Sequence, residues 1–370
     1  MNIFVTGVKR KLGQETQLAI TKSENKYFNL TKNDTNFLKG IAIVLMLLHH
    51  LFYVRQELYD DVLLYGHHNL VNEIGQFGKV CVAIFVFLSG YGLQIVDASK
   101  HFSTRQYFVH RFVKLYSNYW MIWLLFVPIS VLCFGRTFDE AYGNYALLKI
   151  VLDFFGLLNV FNLYGYNPTW WFYSTIIILY LIYPCLKKFI RVPLFLILLG
   201  IGGYYLAFLN SVFFYLLPFV LGMIFAFYHK EIKLPRFTPP YKLLSDIMLL
   251  LILAVIFMER IKAGDKILYD SFIVLIFLIV CKTTTLPKWV RKSFMFLGKH
   301  SMNIFLFHTF IFLYWFKDFI YFSRNPLIIF ATLLIPCLII SMVIEKIKVI
   351  ICFRKLNEYI ENHLCQTIKK

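Results

Sequence analysis

Strongly apolar segments recur along almost the whole chain, from Phe37 to Ile351, and they limit the folds that it can adopt. Hydrophobic residues make up 59% of the 370 residues and charged residues 16%, whereas soluble proteins contain about 25% charged residues. A helix that crosses a bilayer needs about 20 mostly apolar residues, and most of these segments approach that length. The pattern therefore predicts an all-α integral membrane protein.

Ten segments are apolar enough to be predicted as transmembrane helices. They are residues 37–54, 76–96, 117–134, 170–186, 192–209, 212–228, 243–258, 268–282, 301–316 and 327–345. The predicted membrane domain then covers residues 37–345, between a basic N-terminal tail of residues 1–36 and a C-terminal tail of residues 346–370. A further apolar segment, residues 147–163, contains charged and amide side chains. We predict that it is a re-entrant or interfacial helix on the outer side.

The basic residues are distributed unevenly between alternate loops. If the N-terminus is cytoplasmic, the cytoplasmic segments contain 28 Lys and Arg residues and the outer segments nine, with Lys39 at the boundary. Basic residues accumulate on the cytoplasmic side of membrane proteins. The pattern predicts that both termini are cytoplasmic, and it accounts for the net charge of +18 without a nucleic-acid partner.

The seven cysteines are scattered, and none forms a CxxC pair. The sequence therefore predicts neither a disulfide framework nor a metal site.

Ionisable side chains lie in the middle of the first predicted span. Because a helix rises 1.5 Å per residue, His50 lies about 16 Å along it from Lys39, next to His49. This depth is near the centre of a hydrocarbon core about 30 Å thick, where a titratable group is costly and marks a candidate functional site. A structural hydrogen bond to a neighbouring helix is the alternative explanation.

A second histidine lies at a similar depth in another span. His308 follows Lys299 by nine residues in the ninth predicted span, so it could share a cavity with His50. A neutral imidazole in that position could act as a general base toward a hydroxyl group or as a nucleophile. The sequence does not distinguish between these roles.

Basic residues lie at the predicted cytoplasmic ends of several spans. Four of them are candidates for a binding site: Lys39, Arg111, Lys114 and Lys299. The positive-inside rule explains such residues without a further role. The alternative is a site for a phosphate-rich cytosolic ligand.

Aromatic residues begin the fourth predicted span at its outer end. Trp170, Trp171 and Tyr173 are typical of an interfacial aromatic belt, and the alternative is a platform on which a sugar stacks. In the second span, the small residues that flank Tyr91 favour close helix packing.

Five sequence blocks follow one another in an informative order. They are FLKGIAIVLMLLHH with Lys39 and His50, FVFLSGYGL with Tyr91, HRFVKLYSNYW with Arg111 and Lys114, TWWFYSTIIILYLIYP with Trp171, Tyr180 and Pro184, and LGKHSMNIFLFH with Gly298, Ser301 and His308. Together they resemble acyltransferase family 3, the multi-pass membrane O-acyltransferases, over residues 35–345. Lysine replaces the commoner arginine at positions 39 and 114, which keeps the charge but loses the planar guanidinium.

This resemblance implies transfer of an acyl group, most often acetyl, from cytosolic acyl-CoA to a hydroxyl of an extracytoplasmic or membrane-linked glycan. The acceptor would be a cell-envelope polysaccharide or a glycolipid, and the location a bacterial plasma membrane. His50 would be the base or the acyl carrier, His308 and Tyr91 its partners, and the four basic residues would hold the phosphates of CoA. Acyl-CoA would be a co-substrate, and no tightly bound cofactor is implied.

The residues also suit other classes of protein. A proton-coupled transporter or flippase for a glycan or an anionic solute would use midplane histidines as a proton relay, although no internal repeat is visible. A non-catalytic membrane scaffold would not need titratable groups at depth in two spans.

Overall fold

A computed structural model describes residues 28–53, 55–62, 69–233, 239–264, 267–284 and 286–367. Within these ranges the chain forms helices and no β-strand. The α-helices are α1 Lys32–Phe52, α2 Leu70–Phe77, α3 Val80–Lys100, α4 Thr104–Phe134, α5 Phe138–Tyr142, α6 Ala146–Phe154, α7 Trp171–Lys187, α8 Pro193–Leu206, α9 Leu216–Phe227, α10 Pro239–Ala263, α11 Ile267–Thr283, α12 Lys288–Thr309, α13 Lys317–Tyr321, α14 Pro326–Ile350 and α15 Phe353–Thr367. Short 3₁₀ segments are Gln56–Leu58, Leu158–Phe161, Pro168–Trp170 and Ser211–Tyr215, and Phe310–Trp315 is a π-helix. The all-helical prediction is confirmed, whereas most of the predicted N-terminal tail lies outside the described residues.

Among the residues that the structure describes, six helical segments are long and apolar enough to cross a membrane. They are Lys32–Phe52, Leu70–Lys100, Thr104–Phe134, Pro168–Lys187, Tyr241–Ala263 and Pro326–Ile350. Two more apolar segments, Pro193–Leu206 and Ser211–Phe227, are shorter. Helix α11 and the end of α12 occupy the remaining two predicted spans. The helices are those of a membrane protein, and the total of ten crossings and the cytoplasmic location of the termini stay predictions.

Several helices begin earlier than the apolar segments that predicted them. Helix α1 begins at Lys32 rather than 37, and α4 begins at Thr104 rather than 117. The cause is local: Thr31 and Ser103 each form a capping box with the third helical residue, so polar turns precede the apolar part. Hydropathy detects the apolar part of a helix and not its polar first turns.

The apolar segment 147–163 does not form a long helix. Helix α6 has nine residues, about 13 Å, and the 3₁₀ turn Leu158–Phe161 follows it, so neither can cross a bilayer. Buried Asp153 holds this region together, because its Oδ2 accepts hydrogen bonds from the Tyr142 hydroxyl at 2.6 Å and the Tyr166 N–H at 3.1 Å. Desolvation raises the pKa of Asp153 to about 6.

Helices α1 and α12 cross in backbone contact, and this crossing determines where the histidines lie. A Cβ atom at Gly40 would lie 1.9 Å from the Phe294 carbonyl oxygen, and one at Gly298 would lie 1.8 Å from that of Asn36. Glycine at both positions therefore permits an approach that any larger residue would prevent. Since α1 carries His50 and α12 carries His308, the crossing brings their two helices together.

The start of α1 is fixed by charge. The buried Asp34 carboxylate accepts hydrogen bonds from Lys282 of α11 at 2.7 Å and from Arg291 of α12 at 2.5 Å. Because the carboxylate has a partner on each of two other helices, the register of α1 against both is fixed.

Candidate active site

The side chains of His50 and His308 are in direct contact. The Nδ1 atom of His50 lies 2.8 Å from Nε2 of His308, and the two rings stack with centroids 4.9 Å apart. His308 is completely buried, whereas His50 is partly exposed to a cavity. The structure therefore brings together the two histidines that the sequence places at a similar depth, and of the two only His50 is among the residues that line the cavity.

The hydrogen bonds around the pair define where its protons lie. Nδ1 of His308 lies 3.0 Å from the carbonyl oxygens of Ile304 and Phe305, which can only accept, so this nitrogen carries a proton. In the neutral ring Nε2 is then an acceptor, with Oγ1 of Thr309 at 3.4 Å and Nδ1 of His50 at 2.8 Å, and at this shorter distance Nδ1 of His50 must be the donor. The lone pair of a neutral His50 is therefore on Nε2. A chain of hydrogen bonds, which we call the imidazole relay, thus leads from two backbone carbonyl groups of α12 through His308 to His50. It selects the tautomer of His50 that carries its proton on Nδ1.

Two aromatic contacts reinforce the pair. The ring of Phe312 lies nearly parallel to both imidazoles, at interplanar angles of 10° to His50 and 14° to His308. Phe312 belongs to the π-helix that follows α12 directly, and π-helical turns are frequent at functional sites. The neighbouring His49 is held differently, because its Nδ1 lies 2.8 Å from the carbonyl oxygen of Gly75.

His50 lines a cavity of about 410 Å³, which we call the histidine cavity. Its lining combines aromatic rings with hydroxyl, amide and imidazole groups. The lining residues include one cation, Lys79, and also His49, His50, Phe85, Asn159, Thr169, Trp171, Phe172, Ser211, Tyr215 and Phe305. Asn159 belongs to the predicted re-entrant segment, and its Nδ2 donates to Ser211 Oγ at 3.3 Å. The segment therefore contributes to the wall of this cavity.

The three aromatic residues predicted to bind substrate are not brought together. Trp171 lines the histidine cavity, where its ring stacks on Tyr215 with centroids 5.4 Å apart. Trp170 is buried and donates its indole N–H to the carbonyl oxygen of Leu306 at 2.9 Å, which is a structural contact. Tyr173 is one helical turn beyond Trp170, and it lines a different cavity. The structure therefore does not place all three residues in one cavity, although Trp170 and Trp171 both line a smaller cavity of about 90 Å³.

The second cavity has a volume of about 590 Å³, and we call it the basic cavity. All four predicted basic residues line it: Lys39, Arg111, Lys114 and Lys299. Lys348 joins them, and Glu345 is the one acidic residue among the lining residues in the described part of the chain. This excess of positive charge is suited to a polyanionic ligand.

Lys348 is a site residue that sequence analysis missed. It was interpreted as one of many basic residues after the last span. Its Nζ atom donates to Asn118 at 2.9 Å, to Asn303 at 3.0 Å and to Glu345 at 2.7 Å. The spacing of three residues between Glu345 and Lys348 is visible in the sequence, but the two asparagines come from α4 and α12.

Tyr91 does not lie beside His50. Its hydroxyl accepts a hydrogen bond from the Leu30 N–H at 3.1 Å, close to the start of α1. Tyr91 is not among the residues that line the histidine cavity. The suggestion that it orients His50 therefore has no support in this geometry, and His308 fills that position.

Taken together, these features define a class of protein: a helical membrane protein with a paired-imidazole site at a polar cavity, next to a second cavity that is rich in cations. The model of the acyltransferase domain family matches residues 33–346. The chain therefore belongs to acyltransferase family 3 and is a membrane acyltransferase. No protein of curated function and no solved structure matches the chain significantly.

Proposed function

We propose that the protein transfers an acyl group, acetyl foremost, from cytosolic acyl-CoA to a hydroxyl group of an extracytoplasmic or membrane-linked glycan. The observation that carries the proposal is the His50–His308 pair, whose free lone pair belongs to a ring that lines a cavity. Family membership favours this reaction over a proton-coupled transporter.

The basic cavity supports acyl-CoA as the donor. Its five basic side chains outnumber one carboxylate, and the CoA molecule carries a pyrophosphate and a ribose phosphate at one end. Such a ligand would neutralise the repulsion among the cations. On this proposal the basic cavity faces the cytosol, as the positive-inside pattern predicts.

The histidine cavity supports a carbohydrate acceptor. Trp171 and Tyr215 offer stacked aromatic faces, and Asn159 and Ser211 offer an amide and a hydroxyl. A sugar presents apolar C–H faces and hydroxyl groups, so it complements both kinds of group. His50 lines the same cavity, so on this proposal its imidazole would act as the base toward a hydroxyl group bound there.

The chemistry follows from the proton arrangement. Nε2 of His50 removes the proton from the acceptor hydroxyl while the oxygen attacks the thioester carbonyl carbon. The C–O bond forms, the C–S bond then breaks, and the departing thiolate of CoA takes the proton from His50. His308 stabilises the transient imidazolium of His50 by accepting the hydrogen bond from its Nδ1.

The same lone pair could instead attack the thioester and carry the acyl group on Nε2. The two routes differ in what forms without an acceptor. Rapid mixing of the purified protein with labelled acetyl-CoA, followed by quenching, would yield labelled protein on the covalent route and unlabelled protein on the direct one.

The test of the function uses membrane vesicles from cells that express the protein, incubated with radiolabelled acetyl-CoA. Label should enter the glycan or glycolipid fraction as esters that mild alkali releases. His50→Ala should lower this incorporation by about 10²–10⁴-fold, the usual contribution of a general base.

His49→Ala is the matched control, because it removes an imidazole from the same cavity and the same helix. We expect a much smaller loss, since His49 Nδ1 is engaged with the Gly75 carbonyl and His49 lacks the contact with His308. Equal losses in the two variants, at equal protein levels, would contradict the assignment to His50.

A further inference from the structure

Three phenylalanines form the wall that the two cavities share. Phe85, Phe172 and Phe305 line both the basic cavity and the histidine cavity, and no other residue is common to the two linings in the described part of the chain. Each comes from a different helix: Phe85 from α3, Phe172 from α7 and Phe305 from α12. The common wall is therefore made of side chains that cannot form strong hydrogen bonds.

The rings are in contact, with Phe172 at the centre. Its centroid lies 5.1 Å from that of Phe305 and 6.3 Å from that of Phe85, both in edge-to-face geometry. These distances lie in the range of packed aromatic pairs. Phe305 is 8% exposed, whereas Phe85 and Phe172 are half-buried. Phe172 thus contacts both of the other rings in the wall.

The wall also lies between the groups that the proposed reaction must connect. Along α12, Lys299 lines the basic cavity, Phe305 lines both cavities, and His308 contacts His50. Lys299 and Phe305 are six residues apart, about 9 Å, and His308 is about 4.5 Å further. If the phosphates of the donor rest on the basic residues, the route to His50 through the region that the two cavities share passes the three phenylalanines.

We infer that Phe85, Phe172 and Phe305 make the enzyme select the acceptor hydroxyl over water, an inference that rests on the proposed function. An apolar constriction disfavours water, so the closed rings keep the two cavities from joining through a water-filled passage. When the acyl end of the donor displaces a ring, the arm itself fills the gap. Water from the basic cavity then has no route along the donor to the thioester, and exclusion of that water suppresses its share of the hydrolysis.

The competing reaction has the same form as transfer. In hydrolysis, His50 removes a proton from water instead of the sugar hydroxyl, the water oxygen attacks the thioester carbonyl, and the C–S bond breaks. The products are a carboxylic acid and CoA thiol, and the acid then ionises. Loss of the wall should therefore appear as CoA release in the absence of any acceptor.

The experiment measures that release with purified protein in lipid nanodiscs, acetyl-CoA and a thiol-reactive dye, with no glycan added. Phe172→Ala should release CoA at least about tenfold faster than the wild type. The double variant Phe172→Ala with His50→Ala should release CoA at the background rate, because hydrolysis of acetyl-CoA still requires His50 as the base. Phe85→Ala is a second variant that opens the same wall from another helix, in case Phe172→Ala fails to fold.

Phe225→Ala is the matched control. Phe225 packs edge-to-face on Phe28 and Phe87, with centroids 5.4 Å and 5.7 Å apart, and it lines neither cavity. It should release CoA at the wild-type rate. A folded Phe172→Ala variant that binds acetyl-CoA, still acylates membrane glycan and releases CoA no faster than the wild type would overturn the role of the wall alone. A wild-type protein that neither binds acetyl-CoA nor transfers its acetyl group would overturn the proposed function and the inference with it.

Discussion

The basic cavity and the histidine cavity are neighbours, but they are built from different kinds of side chain. The basic cavity is lined by long, flexible cations that come from α1, α4, α12 and α14. The histidine cavity depends on short, rigid groups, of which His308 has both ring nitrogens within 3.0 Å of a partner. The basic cavity thus contains several positive charges whose positions can vary, whereas in the histidine cavity hydrogen bonds fix the positions of individual ring atoms.

This difference indicates how each cavity responds to substitution. Removal of one cation leaves four others in the basic cavity, so the loss should be graded and should depend on salt. Removal of one member of the imidazole relay leaves its partner without a defined tautomer. We therefore expect steep effects in the histidine cavity and shallow ones in the basic cavity.

The largest effect tests the relay. His308→Leu removes the acceptor for Nδ1–H of His50, so the wrong tautomer of His50 becomes accessible, and acetyl incorporation should fall by about 10- to 10³-fold. His308→Gln, whose amide oxygen can accept the same hydrogen bond, should restore part of the loss. The initial rate of labelling in membrane vesicles is the measurement.

His300→Leu is the control for that pair of variants. His300 is on α12 as well, and its Nδ1 lies 2.9 Å from Ser341 Oγ, but it lines neither cavity. Its activity should stay near that of the wild type. If Gln and Leu at position 308 were equally inactive, the hydrogen bond would not be the reason for the loss.

An intermediate effect tests the basic cavity. The double substitution Arg111→Ala with Lys114→Ala should raise the KM for acetyl-CoA by about tenfold and change kcat little, because phosphate contacts are the same in the ground state and in the transition state. Added salt should reduce the difference from the wild type. Steady-state kinetics at varied acetyl-CoA measure both.

Lys262→Ala serves as its control, since Lys262 is exposed, lies 3.0 Å from Glu259 and lines neither cavity. It removes one positive charge without altering either site. An unchanged KM in the double variant, or a fall confined to kcat, would remove the basic cavity from donor binding.

A smaller effect tests the acceptor side. Trp171→Ala removes the ring that stacks on Tyr215, so transfer at saturating acetyl-CoA should fall by about 2- to 10-fold. Donor binding should be unaffected, because Trp171 does not line the basic cavity. Trp170→Phe, which loses the bond to Leu306, should lower thermal stability instead. A raised KM for acetyl-CoA in Trp171→Ala would contradict the assignment of Trp171 to acceptor binding and of the basic cavity to donor binding.

The smallest effect concerns the support of the histidine cavity. Between about pH 4 and pH 6 an unfolded chain loses the Asp153 proton before the folded protein does, because burial raises the pKa of Asp153 to about 6. Stability from this group is therefore lost as the pH rises. The wild type should therefore unfold at a higher temperature at about pH 5 than at about pH 7. The difference should be about 2–4 °C for each kcal/mol by which the free energy of unfolding falls between the two pH values.

Asp153→Asn should reduce that pH dependence, and Asp139→Asn, at an exposed position of α5, should keep it. Thermal unfolding in detergent, followed by tryptophan fluorescence, measures the three proteins in parallel. If the unfolding temperature of Asp153→Asn changed with pH as much as that of the wild type, the Asp153 carboxyl would not be the cause of the pH dependence.

Much of the fold follows from local patterns. Apolar length located helices in every predicted span, whereas segment 147–163, predicted as a re-entrant or interfacial helix, contains the short helix α6 and a 3₁₀ turn. Helix starts were misplaced at α1, α4 and α12, since capping boxes and polar turns extend a helix beyond its apolar part. These errors arise where short-range hydrogen bonds, rather than hydropathy, decide.

Some residues of the candidate site could likewise be predicted from local sequence patterns, and others could not. His50, His308 and the four basic residues were found because a charged or titratable group in an apolar segment is unusual. Lys348 was missed because it looked like one more basic residue beyond a span, and Tyr91 was misplaced because its partner, Leu30, precedes the apolar segment. The phenylalanine wall gave no signal, since 40 phenylalanines occur in the chain.

The sequence by itself determined the class of protein, the helices that carry each candidate group and the family to which the chain belongs. Each depends on composition, on spacing within one helix or on the order of short blocks. Only the tertiary structure decided that two imidazoles 258 residues apart lie 2.8 Å from each other, and that three phenylalanines from three helices line both cavities. The physical reason is that helix crossing depends on contacts between distant segments, such as Gly40 and Gly298, and periodicity within a single helix does not encode them.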